Sequence, residues 1–470
     1  MIITFCCAAV LCAVAGADTI VLKNGDRIAV DWVKQYDGRV EYWVGNNSLT
    51  IPQSIVARIE AGPAPTPGAT APAQPAVVPH LEMPAADVSL EGAEKLMARV
   101  IHNGAVDSSA LQAIEQEGLP AQSAVAYAIA AGFEERHNNL ATAIRYMESA
   151  LRYLPRHPVL LENYAAVLLQ VGRAAEALAA AQQAVSASPE SADAYTILGY
   201  AYYKNDHNRE AIAALKKALA LRPDEKVRQL LEQVTRESRT EADFRQQDSS
   251  HFTLRYEGTR TDDVLRAQVL ETLEAEYNSL QNQLGASPKN VFVSLYTDQE
   301  FFDVTRAPAW SAALNDGKIR VPVSGVKSVT PALAAVLRHE LTHSFIQQIA
   351  HGRVPTWLNE GIAELEQGHT TAPIGGRLAA LYASGNQIPL NQLEGGFTSY
   401  GSAEAAVAYA ESLAAVEYIR NAYGMPDLAR ILQRVGAGQS IESALRSTIH
   451  GGYAELEREI AAYLKKNYGT

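Results

Sequence analysis

The sequence predicts a multidomain chain: a small β-barrel, an α-helical repeat array, then an α+β domain organised around a metal-binding helix. Three observations carry that reading. Short β-rich runs separated by Asn-Gly and Asp-Gly open the chain, three prolines recur every 34 residues in its middle, and a His-Glu-x-x-His segment lies towards its end. A chain of 470 residues, at roughly 150 per domain, has room for about three separate cores. Its 47% hydrophobic and 20% charged content is ordinary for globular proteins and excludes a collagen-like or wholly disordered chain. The net charge of -12 argues against a nucleic-acid partner, because phosphate-reading surfaces depend on an excess of Lys and Arg.

Residues 1–17 read as a signal peptide. They form an uncharged apolar run ending in Ala15-Gly16-Ala17, a small-x-small cleavage pattern, and they hold all three cysteines, Cys6, Cys7 and Cys12. The run is shorter than the roughly 20 apolar residues a spanning helix needs, and no later stretch reaches that length, so no transmembrane span is expected. Export to the periplasm or beyond the cell follows. The processed chain would lack cysteine, so any metal would be held by His and carboxylates.

Residues 18–61 alternate β-rich runs with Asn24-Gly25, Asp37-Gly38 and Gly45-Asn46-Asn47. Asn-Gly and Asp-Gly suit the type I′ turn, whose central residues both need φ > 0. A barrel of about five strands is expected. The stretch "DTIVLKNGDRI...IPQSIVARIE" resembles small barrel modules at the front of some exported bacterial proteins, which implies a structural or docking role. Residues 62–87 are rich in Pro and Ala, a composition that favours extended polyproline II over a core, and read as a linker.

Residues 88–246 read as helical. Pro155, Pro189 and Pro223 each end a repeat, about 124–157, 158–191 and 192–225. Tyr195, Leu198, Gly199, Tyr202, Ala211, Leu215 and Ala218 occupy the third repeat at positions where two helices must approach closely. Tyr164, Ala165, Leu168, Ala177 and Ala184 do so in the second, and Tyr127, Ala143 and Ala150 in the first. These positions resemble tetratricopeptide repeats, which implies a stack whose groove takes a protein partner, or a rigid spacer. Residues 224–246 would cap the stack with a polar-faced helix.

From residue 247 to 470 strands alternate with helices: 251–256, 263–284, 291–296 and 318–323, followed by a helix opening near Pro331. That helix contains His339-Glu340-Leu341-Thr342-His343. Residues four apart on an α-helix face the same way, so both imidazoles can reach one ion, with Glu340 about 100° round beside them. Catalytic zinc needs a third protein ligand and one open position. Trp357 to Glu364 reads as a second helix, and its Glu360 falls 17 positions after His343.

The text "RHELTHSFIQQ...VPTWLNEGIAELEQ" resembles the gluzincin metallopeptidases, and residues 251–468 look like their peptidase MA-like branch. The resemblance implies a Zn2+-dependent enzyme hydrolysing a protein or peptide substrate. It makes His339, His343 and Glu360 the metal ligands and Glu340 the general base. Glu364 would accept a hydrogen bond from a ligating His, and the edge strand around 319–323 would receive the substrate as an added strand. Tyr409 is the first candidate for the oxyanion donor, with Tyr382, Tyr400 and His369 as rivals. Glu366 and Glu394 read as solvated. No amine-anchoring motif is evident, which favours an endopeptidase. The competing reading is an envelope assembly or interaction factor whose zincin-like domain binds without cleaving.

Overall fold

The computed structural model describes residues 18–23, 27–30, 32–36, 39–44, 47–60, 93–137, 139–258, 261–305, 313–323, 325–351, 354–397, 400 and 402–469. The expected signal peptide and the whole of the expected linker lie outside the described residues.

The described residues of the N-terminal unit form six strands: β1 (Asp18–Leu22), β2 (Arg27–Val30), β3 (Trp32–Tyr36), β4 (Arg39–Val44), β5 (Asn47–Pro52) and β6 (Val56–Glu60). Tyr36 pairs with Arg39, the register that Asp37-Gly38 predicts. The expected barrel is not seen among the described residues. The strands make two three-stranded sheets, β2-β1-β6 and β3-β4-β5, with no pairing between them among the described residues. A unit this small buries little surface by itself. Its Ile20, Val40 and Ile55 instead share one core with Tyr296, Phe301 and Val304 of the C-terminal region, with Leu314 packed alongside.

The helical region opens with α1 (Ala93–Val100), a two-stranded ribbon of β7 (Ile101–His102) and β8 (Ala105–Val106), and α2 (Ser108–Gln116). Helix pairs α3 (Pro120–Arg136) with α4 (Leu140–Tyr153), α5 (Pro158–Gln170) with α6 (Ala174–Ala187), and α7 (Ala192–Lys204) with α8 (Asn208–Leu221) then stack. Pro155, Pro189 and Pro223 each stand two residues past the second helix of a pair, where a ring that lacks N–H cannot extend it. Gly199 shows why the pattern demands small residues: a Cβ there would lie 2.6 Å from Leu215 Cγ. The capping helix α9 (Glu225–Thr240) stops short of 246. Its expected last residues belong to strand β9 (Phe244–Asp248), which pairs with the C-terminal sheet.

That sheet holds β9, β10 (Phe252–Glu257), β11 (Val291–Tyr296), β12 (Leu314–Asn315) and β13 (Ile319–Pro322), in the order β12-β13-β11-β10-β9. The middle three are parallel and both outer strands run antiparallel to them. Helices α10 (Asp263–Leu284) and α11 (Asp298–Thr305) connect strands; α12 (Pro331–Ala350) and α13 (Thr356–Glu366) follow. Helices α14 (Gly375–Ala383), α15 (Ser402–Tyr423), α16 (Met425–Gly436), α17 (Ile441–Ile449) and α18 (Tyr453–Tyr468) complete the domain. Two cores meet on α12: Leu337, Leu341 and Phe345 face the sheet and α10, while Ile346 and Ala350 face the C-terminal helices. Among the described residues no helix is long and apolar enough to cross a membrane.

Candidate metal centre

Local chemistry fixes both helices of the site. Thr330 caps α12, its side chain accepting from Leu333 N–H, and Pro331 occupies the first turn, where a missing N–H costs nothing. Helix α13 is anchored by the fully buried Trp357, whose indole Nε1 donates to Tyr453 Oη at 3.2 Å. Gly361 lets α13 lie directly on α15: a Cβ there would stand 2.4 Å from the Ser412 carbonyl oxygen. That close approach holds the preceding Glu360 in place. Arg338 ties α12 to Glu276 of α10 and Glu366 of α13. Glu366 is therefore a buried partner and not the solvated residue its sequence suggests. Glu394 is exposed, as expected, and accepts a hydrogen bond from Tyr453 Oη.

His339 Nε2 and His343 Nε2 lie 3.2 Å apart, and Glu360 Oε2 is 3.8 Å from each. A point equidistant from these three atoms sits about 2.1 Å from each, the length of a Zn–N or Zn–O bond. His343 Nδ1 lies 3.1 Å from Asn359 Oδ1. An amide oxygen can only accept, so Nδ1 carries the proton and the Nε2 lone pair is turned inward. The donor set thus fits zinc: two imidazoles and a carboxylate converge from two rigid helices, each with its side chain about 15% exposed.

The charges follow the burial. Burial pushes the Glu340 carboxyl up to about 7, with His343 pulling it down and Glu360 and Asp316 adding to the rise. Burial also raises Glu360. It drives His339 well below its ordinary value, helped by the neighbouring His343. In His343 burial acts downward too, but Glu360 and Glu340 outweigh it and the net shift is upward.

Two positions differ from expectation. Glu364 does not meet a ligating imidazole; it pairs with His369 Nδ1. Asn359 supplies the acceptor for His343, and the Ala363 carbonyl and the Gln367 side chain lie beside His339. Asn359 directly precedes Glu360 in the sequence, and that adjacency is the signal for its role. Strand β13 is not the edge. Leu314 and Asn315 of β12 pair with Arg320 and Ile319, so the antiparallel β12 forms the sheet border beside α12. A two-residue strand leaves no periodicity by which a sequence could announce it.

Tyr409 packs edge-on against Phe397 and lies close enough to Glu360, Glu364 and Glu340 for all three to raise its hydroxyl further, after burial. Its rivals point elsewhere. Tyr382 faces Glu411 and Glu457, Tyr400 donates to the Gln392 carbonyl, and His369 is engaged by Glu364.

Residues 286–466 match the model of the Peptidase MA superfamily, and residues 168–234 match a tetratricopeptide repeat model. No curated protein matches the chain. Among solved structures, MamA 41-end from Desulfovibrio magneticus RS-1 is 23% identical, covering 28% of this chain and 75% of its own, with a TM-score of 0.25. The MamA RS-1 ArsTM double mutant is 20% identical over 32% of this chain and 86% of its own, also at 0.25. The chain thus joins a tetratricopeptide repeat array to a Peptidase MA superfamily domain.

Proposed function

We propose that the protein is an exported, zinc-dependent metallopeptidase of gluzincin type, an endopeptidase acting on a protein or peptide substrate. The observation that carries this reading is the convergence of His339 Nε2, His343 Nε2 and Glu360 Oε2 at bonding distance from one point, with the buried Glu340 alongside. A zinc ion held there would supply Lewis acidity and a water of lowered pKa. Glu340 takes the proton of the attacking water and returns it to the leaving nitrogen, the work of a general base whose affinity for protons lies near neutrality. Tyr409 offers its hydroxyl to the oxyanion. Asn359 holds the His343 ring in its tautomer. The substrate strand adds to the β12 border, and the repeat groove receives the substrate protein or a partner. Export rests on the signal-like residues 1–17.

The second reading is an envelope interaction factor that binds without cleaving. Glu340→Gln separates the two readings. Zinc stays bound while peptide cleavage falls by on the order of 10³-fold or more if the chain is a peptidase. Cleavage unaffected by that substitution would refute the assignment, and full cellular function of the variant would favour binding alone.

A further inference from the structure

A short hairpin lies between the last repeat and the metal centre. Strands β12 and β13 are connected through Asp316, Gly317 and Lys318, and Gly317 takes φ +102°, a conformation that favours glycine. Strand β13 is held in the sheet by β11, but the turn and the two-residue β12 at the border need contacts from outside to fix them. Three sets of contacts do this. From the last repeat, Lys204 Nζ at the end of α7 donates to the Asp316 carbonyl at 2.6 Å. Beneath it, Lys318 Nζ lies 2.7 Å from both Asp206 Oδ1 and Glu237 Oε1, and Arg320 spans Glu237 Oε2 at 2.8 Å and Asp316 Oδ1 at 2.5 Å, with Lys318, Arg320 and Glu237 all buried. On the far side, Asn315 Nδ2 donates to the Glu340 carbonyl at 2.6 Å and to Ser344 Oγ at 2.8 Å, reaching α12 between its two histidines and one residue past them.

Buried ion pairs add little net stability compared with apolar packing, but they fix geometry, since every alternative leaves a charge unpaired. The hairpin therefore has one position relative to α7–α9, and α12 is hydrogen-bonded to that position at the residue assigned as base.

We infer that the β12–β13 hairpin transmits the position of the last repeat to α12, with Lys204 and Asn315 as the positioning residues at its two ends. The inference deepens the peptidase reading and rests on it only for its effect on turnover. The linkage itself concerns packing alone.

Hydrogen exchange on the metal-free full chain tests it. Asn315→Asp removes the donor to α12 yet keeps the oxygen that accepts from Gly317 N–H at 2.9 Å. Lys204→Met removes the grip on Asp316. Lys204→Met is expected to speed exchange across 314–322 by about tenfold and across 340–346 by about threefold, and in an Asn315→Asp background to leave 340–346 unchanged. Equal shifts of 340–346 in both backgrounds, or none in either, would overturn the linkage. Lys204→Arg, which can still donate, restores wild-type exchange.

Turnover supplies the second arm. Lys204→Met and Asn315→Asp each lower kcat for peptide cleavage by about tenfold with zinc content unchanged, and the double variant loses no more than the worse single one. Additive losses would overturn the inference. Cleavage insensitive to Glu340→Gln would defeat the peptidase reading and leave the exchange result to decide the linkage.

Discussion

Two buried groups in this molecule meet the same geometric test for a cation site. Among the described residues, His339, His343 and Glu360 bring their donor atoms within 4.8 Å of one another, and so do Asp206, Glu237 and Glu241. They differ in what lies between the donors. In the second group protein cations already fill the space: Lys318 Nζ bridges Asp206 and Glu237, and Arg255 reaches Asp206 Oδ2 at 2.5 Å and Glu241 Oε2 at 3.1 Å. In the first, two imidazole nitrogens face each other at 3.2 Å with a carboxylate beside them, and the burial of His339 resists protonation. Convergent donors make a strut when the chain supplies the cation, and a binding site when it does not.

Zinc titration puts that contrast at greatest risk. Wild type is expected to bind one zinc per chain. Glu360→Ala should weaken that binding by on the order of 10⁴-fold, and Glu241→Gln should leave it unaltered, as read by competition with a chromophoric chelator. A second tight zinc lost in Glu241→Gln would erase the distinction.

The strut responds in stability. Glu237→Ala leaves Lys318 and Arg320 buried without their shared partner, and breaking such a set costs about 3–5 kcal/mol. Chemical denaturation of the metal-free chain measures this loss; a change under 1 kcal/mol would show that the seam is hydrated and plays no structural part.

How much of each group the sequence reveals follows from the range of its contacts. The metal ligands repeat at helical spacing, His339 to His343 within one turn and Glu360 in the next helix, so local periodicity exposes them. The strut draws Asp206 from the turn after α7, Glu237 from α9, Lys318 from the residue before β13 and Arg320 from β13, residues brought together only by tertiary packing; Lys318 and Arg320 resemble the alternate outward positions of an ordinary strand. The repeats were legible for the same local reason, through Pro155, Pro189 and Pro223. The N-terminal strands were visible but their closure was not, because Ile20, Val40 and Ile55 complete their core with Tyr296, Phe301 and Val304, far along the chain. Glu364 was misplaced by analogy of spacing: one helical turn past Glu360 puts it near the site, but His369 takes its carboxylate.

A finer cut within the metal group is Asn359→Ala. It removes the acceptor that fixes His343, and partners of this kind are worth about 10–100-fold in metal affinity. Glu364→Gln, which weakens the pair with His369 and takes no hydrogen-bond partner from a ligating side chain, should change zinc affinity less than twofold by the same titration. If the order were reversed, Glu364 and not Asn359 would be the residue that orients the site.

The smallest expected effect sharpens the comparison through pH. Burial tends to raise the Glu237 carboxyl, but Arg320 and Lys318 overcome it and hold it well below the usual carboxylate range. A carboxyl lowered on folding contributes stability above its unfolded value of about 4.3, and that contribution is lost as pH falls through the folded value. Glu411 is the reverse case. It is buried, accepts from Ile388 N–H at 3.1 Å, and is pushed up to about 8, chiefly by burial and further by Glu457. A carboxyl raised on folding binds its proton more tightly in the native state, so its contribution is greatest below about pH 4.3 and declines up to about 8. Glu411→Gln keeps an oxygen for Ile388 and removes the charge. Denaturation at pH 8 should find this variant more stable than wild type, with the difference vanishing below about pH 4, whereas Glu237→Gln is destabilised most at neutral pH and least in acid. Parallel stability–pH curves for the two variants would mean that the cations beside Glu237 do not set its ionisation, and the strut would lose the property that separates it from the metal site.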